Sequence, residues 1–310
     1  MIITVTPNPA VDMTYRLGSF DRGESIRVEA ASVRAGGKGL NVARVARQTG
    51  SEVLAVTTSG GATGRELSDD LAASSVPHRL VPVAPPTRRS IAIVDAARGE
   101  TTIMNERGQA LSHDERQRLS AAILDAMADQ ERTAGCVVGA GSLPPEMPDT
   151  FYADLVRDAH ARSFSAVIDA VGPALLLAVE AGADVVKPNR SELQHTTGER
   201  DPVAGARRLI ENGARLVLVS LGEDGMIAVD ARDPNHVYHA RLARALEGNP
   251  TGAGDAGVAA VAQCVADGVS DPSVILRRAT AYSAAAVLMP VAGEIADNYR
   301  ELELLLQVTG

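Results

Sequence analysis

Short β-branched runs separated by longer stretches of helical periodicity recur along most of this chain, and that alternation leaves few folds open. Ile2–Thr6, Glu52–Thr57, Cys136–Ala140, Ala166–Asp169, Asp184–Val186 and Leu216–Val219 read as buried strands. Between them Leu40–Gln48, Gly64–Ala73, Asp114–Ala128, Thr150–Ala161, Pro173–Ala181 and Pro202–Asn212 carry apolar residues at helical spacing. Strands alternating with helices need right-handed crossovers, which give a mostly parallel sheet covered on both faces. Val258–Val265, Ser273–Val287 and Asn298–Val308 read as three helices beside that sheet.

Two stretches break the rhythm. Asp12–Val33 holds strand-like pieces (MTYRL, SIRVEA) without a helix, and Ser90–Met104 reads strand–turn–strand around Gly99. Both are interleaved with the main unit, so a separate domain is excluded. One body over residues 1–310 is expected, with a small β-lid formed by about 12–33 and 88–105. The length of 310 residues suits one large α/β unit.

Charge and composition narrow the partners. A net charge of −9 with only 3% aromatic residues lacks the basic stripe and stacking platforms of nucleic-acid binders. No apolar run reaches the ~20 residues of a membrane span, and MIITVTPNPAVD has no basic region or cleavage site typical of a secretory leader. The two cysteines, Cys136 and Cys264, sit in apolar segments, so packing roles in a reducing cytoplasm are expected.

Local patterns then suggest chemistry. In Asn249-Pro-Thr-Gly-Ala-Gly-Asp255 the glycines permit a tight turn into a small-residue helix. The free N–H groups of that helix start make an anion nest, and Asp255 beside it could accept a proton from an attacking hydroxyl. The same residues also make an ordinary Gly-rich turn with an acid at a helix N-terminus. Ala35-Gly-Gly-Lys-Gly-Leu-Asn41 opens another helix; Ser32 and Gly39 stand where a Walker A motif needs Gly and Ser/Thr. Asn189 and Glu192 form a capping-box pattern, or a pair able to hold a water shell around Mg²⁺, or both. Ser220-Leu-Gly-Glu-Asp-Gly225 between apolar runs reads as a hairpin turn whose backbone could line a nucleotide. Gly141-Ser-Leu-Pro-Pro145 follows a strand at the sheet end where open α/β sheets bind ligands. No G-x-G-x-x-G follows the first strand, which disfavours a nicotinamide dehydrogenase.

Taken in order, TPNPAVD, AGGKGLNVARV, PTRRSIAI, GSLPP, KPNRSEL, SLGEDG and NPTGAGDA resemble the PfkB branch of the ribokinase-like carbohydrate kinases, from about residue 4 to residue 260. GGKGLNVARV and KPNRSEL resemble the 1-phosphofructokinase and tagatose-6-phosphate kinase subgroup. The resemblance implies a ribokinase-like three-layer α/β/α sandwich with a β-lid often used for dimer formation. It also implies ATP and Mg²⁺, admits a monovalent cation, and makes a ketohexose monophosphate the acceptor. A non-catalytic sugar-phosphate or nucleotide-binding protein on the same scaffold is the alternative class. Carried across by position, Asp255 matches the catalytic base, and Gly252, Ala253 and Gly254 the anion hole. Lys187, Ser220, Gly222, Gly225 and Thr251 match the ATP side, and Asn189 and Glu192 the magnesium element. Asp12, Gly37, Lys38 and Asn41 match the sugar side, with Lys38, Arg88 and Arg27 on the phosphate already present. The chain departs from the family pattern in four places: Asp169-Ala-Val-Gly172 for D-[TS]-S-G, Glu146 after GSLPP, Ser90 for Asn, and Asn249-Pro-Thr for Ser-Thr-Val. The last two point towards the tagatose-phosphate side or a broader hexose kinase.

Overall fold

A computed structural model describes residues 1–21, 23–129, 135–244 and 246–310; Arg22, within the first lid segment, lies outside them. In chain order the elements begin with β1 (Ile2–Thr6), β2 (Ala10–Leu17), β3 (Ser32–Gly36), α1 (Lys38–Gln48), β4 (Val53–Ser59), α2 (Gly61–Ala73) and β5 (His78–Pro82). Then come β6 (Arg88–Asp95), β7 (Glu100–Asn105), α3 (His113–Ala128), β8 (Gly135–Ala140), α4 (Phe151–His160), β9 (Phe164–Asp169), α5 (Pro173–Glu180) and β10 (Val185–Val186). The remainder is α6 (Arg190–Thr197), α7 (Pro202–Glu211), β11 (Leu216–Ser220), β12 (Met226–Asp230) and β13 (Asp233–Arg241), followed by α8 (Ala253–Ala266), α9 (Pro272–Val287), α10 (Tyr299–Leu305) and β14 (Gln307–Thr309).

The large sheet has ten strands in the order β14-β13-β12-β11-β10-β9-β8-β1-β4-β5. From β5 to β11 neighbours run parallel, and from β11 to β14 they run antiparallel. Because side chains alternate across a strand, β1 sends Ile2 to one face and Ile3 and Val5 to the other. Ile2 joins a core supplied by α1, α2, α8 and α9 through Leu40, Leu71, Val258 and Leu276. Ile3 and Val5 join one supplied by α3, α4, α5 and α7 through Leu119, Tyr152, Leu175 and Leu209. This is the expected helix–sheet–helix layering.

The second sheet, ordered β3-β2-β6-β7, has four strands. The turn at Gly99 forms between β6 and β7 as its sequence predicts. SIRVEA does not form a strand. Residues 25–30 are mostly exposed, with no apolar face covered, so β-branched content alone does not hold them extended in a sheet. The strand forms at Ser32–Gly36 instead, where Asp12 pairs with Arg34. At the C-terminus the helix stops at Leu305, because Gln307–Thr309 pairs along β13.

Candidate active site

The carboxyl ends of β1, β9 and β10 and the N-termini of α1, α6 and α8 converge on one region. Gly252 caps α8 in the left-handed conformation, with φ 85°. A Cβ there would also lie 2.7 Å from the Ala292 Cβ, so both backbone and packing demand glycine. The Ala253 amide, expected in the anion hole, instead donates to the Pro250 carbonyl at 3.2 Å and closes the turn, and Asp255 lies in the first turn of α8, only 8% exposed. Asn41 Nδ2 donates to Asp255 Oδ2 at 2.8 Å. Burial pushes the Asp255 carboxyl from 3.8 up to about 7; Lys38, the Asn41 hydrogen bond and Lys187 hold it down, while Asp169 pushes it further up.

Lys38 is the first residue of α1, and its Nζ donates to Asp169 Oδ1 at 3.2 Å and Glu192 Oε1 at 3.0 Å. Burial alone would favour the neutral amine, but Asp169, Glu192 and Asp255 outweigh it and raise the Lys38 pKa. Asp169 is the buried carboxylate at the end of β9, a residue that sequence reasoning noted only as a departure. Its signal was available: a charged residue ending an apolar strand at the ligand-binding edge of a parallel sheet.

The Asn189–Glu192 capping box forms. Asn189 Oδ1 accepts from the Glu192 amide at 2.9 Å, and Glu192 Oε2 accepts from the Asn189 amide at 2.9 Å. Glu192 thereby spends one oxygen on the helix and presents the other towards Lys38 and Asp169. Among the described residues no cluster of three His, Cys, Asp or Glu side chains forms a closed metal cage. The oxygen donors present fit a hard cation that keeps most of its water, which is the behaviour of Mg²⁺.

The segments matched to the nucleotide side also adjoin. Lys187 follows β10, is 2% exposed, and donates from Nζ to Ser220 Oγ at 3.3 Å. A bridge between Asn189 and Ser220 ties α6 to the end of β11. Gly222 and Gly225 sit in the short turn to β12, and a side chain at Gly225 would collide with the Ala240 carbonyl. Thr251 donates its amide to Asn249 Oδ1 at 3.1 Å.

On the other side, Asp12 lies within β2, paired with Arg34 of β3 and Ser90 of β6. Its carboxyl folds over Gly36, where any Cβ would overlap it. Burial raises Asp12 from 3.8 to about 6, against the pull of Arg88, Arg44 and Arg34. Arg88 donates to the Asn8 carbonyl at 3.3 Å and the Glu106 carbonyl at 3.1 Å. Gly37, at φ 112°, lets the chain turn into α1 against Thr6 and Pro9. Asp12, Arg34, Asn41, Ser90, Thr251 and Ala292 line one shared cleft. Arg34 was missed in the sequence because nothing local distinguishes it from a surface arginine. Arg27 is not brought to this cluster by any described contact; it is exposed in the segment between β2 and β3.

Residues 5–297 match the pfkB family of carbohydrate kinases. The chain belongs to this family. It is 33% identical to 1-phosphofructokinase of Xanthomonas campestris pv. campestris, over 91% of this chain and 89% of that one. It is 29% identical to tagatose-6-phosphate kinase of Staphylococcus epidermidis, over 99% of both. Among solved structures it resembles phosphofructokinase-2 of Escherichia coli in complex with fructose 6-phosphate, at TM-score 0.85 and 28% identity, covering 98% of each chain. A structure of that E. coli protein in complex with potassium gives TM-score 0.88 at 27% identity, again over 98% of each chain. The fold is ribokinase-like, and this PfkB-family member is a sugar-phosphate kinase. No helix among the described residues is long and apolar enough to cross a membrane.

Proposed function

We propose that this PfkB-family kinase transfers the terminal phosphoryl group of ATP to a ketohexose monophosphate, with fructose 1-phosphate as the first candidate and fructose 1,6-bisphosphate as its product. The observation that carries the reading is Asp255, a buried carboxylate with a pKa of about 7, fixed by Asn41 at the mouth of the glycine nest. A base poised near neutrality suits removal of a hydroxyl proton. The sugar lies in the cleft between Asp12, Asn41 and Ser90, with its existing phosphate towards Arg88 and Lys38 and its free primary hydroxyl towards Asp255. Asp255 takes the hydroxyl proton as that oxygen attacks. The amides of Gly252 and Gly254 face the transferring phosphoryl group and stabilise its spread charge, while Ala253 holds the turn through Pro250. Lys187, Ser220, Gly222, Gly225 and Thr251 border the nucleotide.

Mg²⁺, reached through water from Glu192, Asn189 and Asp169, would supply positive charge beside the phosphates. A monovalent cation is part of the same reading, supported by the potassium complex of the E. coli neighbour. The small sheet of β2, β3, β6 and β7 acts as a lid over the sugar that excludes competing water.

A ketohexose bisphosphate is nearly symmetric end to end, so one cleft can take the sugar in either direction. Tagatose 6-phosphate and fructose 6-phosphate are therefore the competing acceptors, and the relatives carry both kinds of name. A coupled assay of ADP release with all three sugars, ranked by kcat/KM, is the test. Highest kcat/KM on fructose 1-phosphate supports the assignment, and preference for another sugar reassigns it. Ligand-induced melting shifts without turnover on any of them would leave a binding protein on a kinase scaffold.

A further inference from the structure

A second cleft opens behind α1, on the far side of Arg34 from the sugar site. Arg34, Arg44, Arg47, Ser51, Ser74 and Glu294 are among the residues that line it.

Two of these guanidinium groups are only partly used. Arg44 is 6% exposed and pairs with Asp70, yet its buried Nε has no hydrogen-bond partner. An N–H buried without an acceptor costs about 1–3 kcal/mol, so its persistence calls for an explanation. The Arg47 guanidinium, exposed in the last turn of α1, makes no hydrogen bond or ion pair with any described residue. Arg34 spans the wall between the clefts: NH1 donates to the Ala292 carbonyl at 3.2 Å and NH2 pairs with Glu294 at 2.7 Å. Forked guanidinium donors match the oxygens of a tetrahedral oxyanion.

We propose that this cleft is a second anion site, separate from the catalytic nest, that takes a phosphate group between Arg47 and Arg44 at the expense of the Arg34–Glu294 pair. The site is linked to catalysis through the segment 291–294. Arg34 and Ala292 line the sugar cleft, Gly293 packs against Asn41 and Arg44, and Asn41 holds Asp255. Drawing Glu294 away from Arg34 changes the field on Asp12, which Arg34 and Arg44 both help to set. Occupancy therefore alters sugar affinity more than turnover. The binding claim is independent of which sugar the kinase uses; the coupling claim rests on Asp12 and Asp255 serving that site.

Calorimetric titration with inorganic phosphate, in parallel on the wild type, Arg47→Glu and Arg88→Ala, tests it. Arg47→Glu is expected to remove one phosphate per chain, or weaken it at least tenfold, while kcat and sugar KM in phosphate-free buffer stay within twofold. Arg88→Ala is expected to retain that phosphate. A parallel titration with glycerol 3-phosphate tells a free-phosphate site from one for phosphate monoesters: tighter binding of the ester, also lost in Arg47→Glu, makes the site one for phosphorylated metabolites. Identical phosphate stoichiometry and affinity in the wild type and Arg47→Glu would overturn the proposal, and so would no phosphate bound beyond that lost in Arg88→Ala. Loss of kinase activity in phosphate-free wild-type protein would instead count against the proposed function.

Discussion

Asp255 illustrates how a single residue trades stability for chemistry. Its carboxyl moves from 3.8 to about 7 on folding, chiefly through burial. Between those values the folded chain holds a proton that the unfolded chain has lost, so stability falls as pH rises from about 4 to about 7 and then levels off. Asp255→Asn removes the ionisation. It should match the wild type at pH 4 and exceed it at pH 8, with a ceiling of about 4 kcal/mol from a shift of about three units at 1.36 kcal/mol each. The same substitution should cut kcat by about 10²–10⁴. Urea unfolding at both pH values, beside steady-state rates, checks this. A variant that is inactive yet no more stable at pH 8 would show that Asp255 does not carry the buried charge. The wild-type kcat/KM should rise with pH through a midpoint near 7. Lys38 is the group that most strongly holds Asp255 down. Lys38→Met should therefore move that midpoint to higher pH as well as raise the sugar KM, and an unmoved midpoint would place Lys38 electrically outside the base's surroundings.

At the scale of elements, glycines make backbone available where phosphate must approach, and their demands can be separated. Gly252 combines φ 85° with the Ala292 wall at 2.7 Å, whereas Gly268 has φ 76° and open space around it. Gly268→Ala should cost only the left-handed penalty, about 1–2 kcal/mol, with unchanged kinetics. Gly252→Ala should cost more and lower kcat by about 10²–10³, the loss typical of a displaced oxyanion donor. Melting temperatures and kcat of the pair distinguish conformational strain from a broken nest. This contrast also explains what the sequence could reveal. Contiguous features were legible: the alternation of strands and helices, the capping box at Asn189, and the turn from Asn249 to Asp255. Features made by distant partners were not. Lys38 reads locally as a phosphate ligand, but its ammonium rests on Asp169, 131 positions away. β13 is polar along much of its length and shows no apolar alternation, yet pairing with β12 and β14 makes it a strand. Residues 25–30 show the reverse, strand-forming side chains with no sheet to receive them.

For the whole molecule, the question is what covers the small sheet. Its residues divide by face: Asp12, Ser90, Thr101 and Ile103 line the sugar cleft, whereas Val33 and Met104 are each about half exposed. β7 is the outer edge on one side, whereas on the other the Ala35 amide of β3 donates to Asp70 of α2. Exposed apolar edges of this kind are normally paired or covered. Association of two chains through these sheets would remove that surface from water and fix the position of Asp12, Ser90 and Arg88 over the large sheet. Its base is anchored, with Val11 and Ala35 in the main core and the Ala35 amide on Asp70 Oδ2 at 2.8 Å, while Arg16 reaches the Pro290 carbonyl at 2.6 Å and Arg34 the segment 292–294. We therefore expect a homodimer at micromolar concentration, and a Met104→Lys substitution that shifts the mass towards one chain while raising sugar KM several-fold. ATP affinity should change little, because the nucleotide side is built from β10, β11 and α8 rather than from the small sheet. Sedimentation velocity on both proteins, with KM measured for each substrate, decides the matter. A wild type that sediments as a single chain with full activity would mean that the small sheet holds its position over the sugar alone, through its own contacts with the body.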